Sequence, residues 1–117
     1  MDFFDSMNVS ASALTAQRTR MNLISSNLAN ANTTRTPEGG PYKRKDAVFA
    51  ATPVKNSFNN LLDNAANRDL RQVEVMQIIE DQNPPRLQYD PGNPDANAQG
   101  YVALPNVNVV EEMADMI

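Results

Sequence analysis

Two pairs of adjacent carboxylates are the residues best suited by type to acid–base chemistry: Glu80 with Asp81, and Glu111 with Glu112. Neighbouring side chains on a strand or a helix point in different directions, so neither pair converges on one reacting atom. The chain has no Cys, which excludes a Cys nucleophile, and no His, which removes the commonest general base and the commonest metal ligand. We therefore predict that the protein is not an enzyme, with a small carboxylate hydrolase as a remote alternative. The acids are interpreted as a solvated strand end and a helix start.

Three other patterns resemble binding motifs only in part. Residues 95–100 read D-A-N-A-Q-G, like the opening of a calcium loop, but Asn106 stands where a bidentate Glu is needed. Gly39 and Gly40 lie between prolines and lack the Lys-Ser/Thr ending of a phosphate-binding loop. The basic residues 43–45 lack the interleaved aromatic residues of a nucleic-acid platform. No cofactor, metal, nucleic acid or small-molecule substrate is expected.

The element around which the chain is organised is a long N-terminal helix. Residues 6–32 contain no Gly or Pro, and large apolar residues recur every seven positions on a narrow, Ala-rich stripe. Phe3 and Phe4 are expected to precede the helix, with Asp5 or Ser6 as its N-cap. A stripe this narrow is typical of a coiled-coil seam that needs a partner. The predicted assembly seam on this helix comprises Met7, Ala11, Leu14, Met21, Ile24, Leu28 and Ala31.

A second, shorter helix is predicted to begin at the other end of the chain. Asn108 can cap a helix whose third residue is Glu111, an approximate capping box. The sequence reaches its last residue without a helix stop signal. Either the chain is truncated within this helix, which is the interpretation we favour, or the helix is completed by packing on another element. The apolar residues that extend the predicted seam here are Val109, Val110, Met113, Met116 and Ile117.

Between the helices the sequence predicts a small β-rich domain. Strands are expected at 42–52, 70–81, 86–89 and 101–104 from β-branched and aromatic runs bounded by turn residues. The Asn-rich segment 55–69 is interpreted as a mobile insertion. The fold class is therefore α+β, with a long N-terminal helix and the start of a C-terminal helix flanking a β-rich middle. The domain boundaries predicted are 1–34, 35–106 and 107–117.

Charge and hydropathy narrow the classes of partner. The net charge of −4 argues against generic binding to nucleic acid or anionic lipid. No run of 18 apolar residues could span a membrane, and direct membrane insertion is not expected. The N-terminus carries Asp2 and Asp5 where a secretory signal would carry Lys or Arg, so no cleaved signal peptide is predicted.

A motif at the end of the long helix resembles the signature of a known family. Residues 26–33 read S-N-L-A-N-A-N-T, similar to the polar residue, N-[LI]-A-N and threonine that end the first helix of bacterial flagellar rod and hook proteins. The residues carrying this rod motif are Ser26, Asn27, Leu28, Ala29, Asn30 and Thr33. We expect Asn27 and Asn30 either to bond neighbouring helices or the loop after Thr33, or only to end the helix.

Two later stretches resemble the same family. Residues 36–44 look like an expanded version of the segment that follows the motif, as in a proximal rod protein. Residues 89–98, 100–102, 104–108 and 112–113 are similar to the second half of such a protein. Three separated motifs in the right order make the resemblance to flagellar basal-body rod proteins specific.

The resemblance implies a structural, non-enzymatic subunit of the flagellar basal-body rod. Such proteins leave the cell through the flagellar type III export apparatus without a cleaved signal. They assemble helically across the periplasm with other rod subunits and copies of themselves, with the terminal helices inside and the β-rich domain outside, and contribute to the drive shaft. The alternative is a helical adaptor or regulatory module that docks its N-terminal helix on a partner protein.

Overall fold

The computed structural model describes residues 3–53 and 71–117, so the insertion predicted at 55–69 lies outside the described residues. The first element, α1, spans Phe3–Ala29. Phe3 and Phe4 already belong to this helix, so the expectation that they precede it is wrong, and Asp5 and Ser6 are not its caps. Nothing in residues 3–5 opposes helical geometry, since neither Phe nor Asp breaks a helix as Gly or Pro does.

The helix ends at Ala29, where an Asn- and Thr-rich segment follows it. The N–H of Asn30 still bonds the carbonyl of Ser26 at 3.0 Å, but the N–H of Ala31 reaches back only three residues, to Leu28, at 3.3 Å. The side-chain amide of Asn30 donates to the same Ser26 carbonyl at 2.8 Å. Side-chain competition for backbone acceptors thus closes the last turn.

Two long strands form the first sheet, and both were predicted. β1 spans Lys45–Pro53 and β2 spans Arg71–Glu80, paired in a two-stranded sheet. The N–H of Asp81 bonds the carbonyl of Arg44 at 2.8 Å, so the start of β1 lies beside the end of β2 and the pair is antiparallel.

A second sheet follows, also of two strands. β3, Arg86–Tyr89, pairs antiparallel with β4, Tyr101–Leu104, in a register that sets Tyr89 opposite Tyr101. Their rings meet edge to face with centroids 5.4 Å apart. Gly100 precedes β4 with φ of +88°, and a Cβ there would lie 2.9 Å from Cε2 of Tyr89. Glycine is therefore required for both the backbone conformation and the close approach of the ring.

The last element, α2, spans Val109–Met116. As predicted, Asn108 is its N-cap, with a side-chain oxygen that accepts hydrogen bonds from the N–H groups of Val110 and Glu111. The two helices and two small sheets found among the described residues confirm the α+β class.

The chain divides into two compact units. The first comprises the described residues of Met1–Arg20 and Ala47–Gln77, and the second comprises Met21–Asp46 and Ile78–Ile117. In the first unit Ala16 is buried, and the Ser12 hydroxyl accepts from the N–H of Val73 at 3.1 Å. The second unit holds most of the buried apolar residues of the described chain: Ile24, Ala31, Tyr42, Val102, Leu104 and Val107.

Candidate functional site

The rod-motif residue Asn27 is the centre of a buried hydrogen-bond network in the second unit. Its side chain is 1% exposed, and its amide donates to the carbonyl of Lys45 at 2.9 Å. The side-chain oxygen of Asn27 accepts from the N–H of Lys45 at 3.0 Å and from the Tyr42 hydroxyl at 2.9 Å. The Tyr42 hydroxyl also lies 3.1 Å from the hydroxyl of Ser26. Every polar atom of the Asn27 side chain is thus used inside the chain, as burial requires.

The other polar residues of the motif end the helix and turn the chain. Thr33 donates through its hydroxyl to the side-chain oxygen of Asn30 at 3.1 Å, and its carbonyl accepts from the N–H of Tyr42 at 3.2 Å. Of the two alternatives considered for the asparagines, Asn27 bonds the chain beyond Thr33, whereas Asn30 bonds locally at the helix end. Leu28 is half-buried and Ala29 exposed.

The carboxylate of Asp95 joins the long turn before β4 to the segment after α1. It accepts from the Thr34 hydroxyl and from the Arg35 guanidinium, each at 2.6 Å. The hydrogen bond from Thr34, aided by the charge of Arg35, holds the pKa of Asp95 below its usual value despite some desolvation. Both oxygens are therefore occupied within the chain. The calcium-like pattern at 95–100 forms a turn, in which the side-chain oxygen of Asn97 accepts from the N–H groups of Gln99 and Tyr101. No cluster of His, Cys, Asp or Glu that could hold a metal occurs among the described residues.

Arg44 and Glu112 form a buried ion pair that ties α2 to the segment before β1. The Nε of Arg44 donates to Oε1 of Glu112 at 2.5 Å, and Glu112 is 1% exposed. Burial alone would lower the pKa of Arg44, but the hydrogen bond and charge of Glu112, with Asp46 at 3.5 Å, outweigh it, so the pKa lies above its ordinary value. Glu112 lies in the first turn of α2, as predicted, but its side chain is buried in an ion pair that the sequence does not predict.

The predicted seam residues divide by burial. Met7, Leu14 and Met21 are 52%, 70% and 41% exposed, and Ala11 is exposed as well. Ile24 and Ala31, by contrast, are buried within the second unit. The seam residues of α2 and its C-cap are exposed, apart from the half-buried Met116, and comprise Val109, Val110, Met113 and Ile117.

Sequence reasoning missed the partners of the rod motif and of α2. Tyr42, Arg44 and Lys45 lie in or next to the segment that resembled the family, but their contacts join residues 15 to 68 positions apart. Local patterns do not encode such separations. The only available signal was proximity to the motif.

Comparison with known families identifies the class of the protein. The family described as "Flagella basal body rod protein" matches residues 7–35, which include the exposed stripe and the Asn27 motif. The family described as "Flagellar basal body rod FlgEFG protein C-terminal" matches residues 98–117, which include β4 and α2. Both ends of the chain therefore match families of flagellar basal-body rod proteins.

Individual relatives show which kind of flagellar basal-body rod protein the chain resembles. The flagellar basal-body rod protein FlgC of Borreliella burgdorferi is 46% identical over 127 aligned positions, covering 100% of this chain and 81% of the relative. The Bacillus subtilis FlgC is also 46% identical, with the same coverages, and that of Escherichia coli O6:H1 is 43% identical over 98% of this chain and 78% of the relative. The chain belongs to the FlgC family.

Family membership decides between the interpretations left open by the sequence. The protein is a structural subunit of the flagellar basal-body rod, located in the basal body, and not an enzyme. It assembles with other rod subunits and with copies of itself. Within the residues described, no helix is both long and apolar enough to cross a lipid bilayer.

Proposed function

We propose that the subunit enters the rod by burying the exposed apolar stripe of α1 against helices of neighbouring subunits, and that the helical assembly so formed contributes to the drive shaft. The observation that carries this proposal is the exposure of Met7, Leu14 and Met21 at seven-residue spacing on one uninterrupted helix. Large apolar side chains repeated in this way favour helix–helix packing. Complete burial of each would contribute about 1.5–3 kcal/mol.

The seam proposed is narrower than the full set of apolar positions on α1. Ile24 and Ala31 already pack inside the second unit, so they fix the helix in its own chain. The stripe available to neighbours runs through Met7, Ala11, Leu14 and Met21. On α2 the exposed Val110 and Met113 offer a second apolar face of the same kind.

Folding and assembly are coupled in this proposal. Side chains exposed in the free subunit become buried on incorporation, and the entropy lost in ordering the helices is offset at that moment. This suits a chain that travels unfolded through the type III export apparatus, without a cleaved signal, and then takes its place in a rod that crosses the periplasm. The absence of Cys is compatible with that route into an oxidising compartment.

Substitution on the stripe tests the proposal. Leu14→Asp should exclude the subunit from purified basal bodies and abolish swimming in a strain that lacks its own copy of the rod gene. Asn8→Asp is the matched control, because it adds the same charge at an exposed position about 120° around the helix from Leu14. The far-UV circular dichroism of both purified variants should equal that of the parent. Functional rods built from Leu14→Asp would refute the seam.

A further inference from the structure

A cleft in the second unit lies where the start of α2 meets the segment before β1. Its volume is about 320 Å³, more than ten times the ~30 Å³ that one water molecule occupies in the liquid. That volume can admit a long side chain. The residues that line it are Arg44, Asp81, Asn106, Asn108, Glu111 and Glu112.

The cleft carries an excess of negative charge. Asp81, Glu111 and Glu112 supply three carboxylates, against the single guanidinium of Arg44. That guanidinium is already shared between Glu112 and Asp46, which lie 2.5 Å and 3.5 Å from its nitrogens. The carboxylates therefore exceed the charge that Arg44 can neutralise, and they also outweigh the partial positive charge at the start of α2. The electrostatic complement of the cleft is a cation.

One carboxylate oxygen in this wall has no hydrogen-bond partner. Glu112 is 1% exposed, and its Oε1 accepts from Arg44, but its Oε2 is buried without a partner among the described residues. A buried carboxylate oxygen is normally hydrogen-bonded, because leaving it unpaired forfeits its interaction with water. The orphaned oxygen points to a ligand that brings N–H donors.

We propose that this cleft is a docking site for an arginine side chain carried by a neighbouring rod subunit. A guanidinium supplies positive charge and several N–H donors in one planar group, which matches a wall of carboxylate and amide oxygens. A metal ion fits less well, because no described cluster of acidic residues could hold one. The assignment of the partner as a rod subunit rests on the proposed function; the chemistry of the cleft does not.

Peptide titration of the full chain tests the cleft directly. The probe is acetyl-Gly-Arg-Gly-amide, and its control is the same peptide with citrulline, the neutral isostere of arginine. Saturable shifts of the amide NMR signals of Asn106, Glu111 and Glu112 are expected with the arginine peptide alone. Asp81→Asn and Glu111→Gln should each weaken binding about two- to fivefold, the effect of one partly exposed ion pair. Glu74→Gln, an exposed acid that does not line the cleft, should leave it unchanged.

Each result bears on one proposal at a time. Equal shifts with the citrulline peptide, no saturable shift, or an affinity that neither cleft substitution lowers would overturn the arginine site. Because the titration uses the isolated chain, it is independent of rod assembly. A positive titration together with functional rods built from Leu14→Asp would uphold the site and reject the seam. A failed titration together with exclusion of Leu14→Asp from basal bodies would reject the site alone.

Discussion

The side-chain amide of Asn27 pairs with both backbone polar groups of Lys45, donating to its carbonyl at 2.9 Å and accepting from its N–H at 3.0 Å. This is the pattern that one strand residue offers another, supplied here by a helical side chain. These two hydrogen bonds satisfy the backbone N–H and carbonyl of Lys45, the first residue of β1, on the side that faces α1. The rod motif therefore fixes where the β-rich part of the second unit begins.

Replacing Asn27 with Asp should destabilise the protein strongly. The carboxylate cannot donate to the Lys45 carbonyl, and it places a charge where the side chain is 1% exposed. We expect a loss of about 2–4 kcal/mol in the free energy of unfolding, measured by urea denaturation. Asn22→Asp, at an exposed position of the same helix, should change it by less than about 0.5 kcal/mol. Equal effects of the two changes would contradict the network.

The hydroxyl of Tyr42 should contribute measurably to stability. It donates to Asn27 and lies 3.1 Å from the Ser26 hydroxyl, so Tyr42→Phe leaves a buried acceptor with one donor fewer. A loss of about 1–2 kcal/mol is expected in the same denaturation experiment. Tyr89→Phe is the matched control, because Tyr89 is 65% exposed. A neutral Tyr42→Phe variant would show that the hydroxyl contact is dispensable.

Acid should weaken the tie between the turn before β4 and the segment after α1. The pKa of Asp95 is lower in the folded chain than in the unfolded chain. The contribution of Asp95 to folding stability is therefore complete above the unfolded pKa and is lost as the pH falls through the folded pKa. Thr34→Val should return the pKa of Asp95 towards its ordinary value more than Arg35→Gln does. The Thr34 hydrogen bond is the largest single influence on this pKa, and the charge of Arg35 is screened because its side chain is 78% exposed. NMR titration of the Asp95 carboxyl carbon gives both values, and the opposite ranking would contradict this assignment.

Breaking the Arg44–Glu112 pair from one side should cost more than removing both partners. Arg44→Met strands a buried carboxylate, for which we expect a loss of about 2–4 kcal/mol in the free energy of unfolding. The double variant Arg44→Met, Glu112→Met should recover most of that loss. Arg86→Met, on the exposed strand β3, is the control and should be nearly neutral. Additive effects of the two single changes in a double-mutant cycle would exclude coupling.

The elements of the fold follow largely from local sequence, and the contacts of the site do not. The absence of a helix breaker in residues 6–32 predicts α1, and the β-branched run around Val73 and Ile78 predicts β2. Asn108 predicts the start of α2, because it is a favourable N-cap. Each of these rests on neighbours within a few positions.

The burial of Glu112 had no such signal. An acid in the first turn of a helix is ordinarily solvated, and what buries this one is the guanidinium of Arg44, 68 positions earlier in the chain. The same holds for Asn27, whose partner Lys45 lies 18 positions away. In both cases tertiary packing, which a single sequence does not display, decides the role of the residue.

The placement of the aromatic residues gives the two units different optical signatures. The protein has no Trp and three Tyr, and all three, Tyr42, Tyr89 and Tyr101, belong to the second unit. Tyrosine fluorescence and the tyrosine bands of the near-ultraviolet therefore report on that unit alone. The helical signal in the far ultraviolet reports on α1, which runs through both units. Comparing the two signals during denaturation reveals whether both units melt together, without any label being introduced.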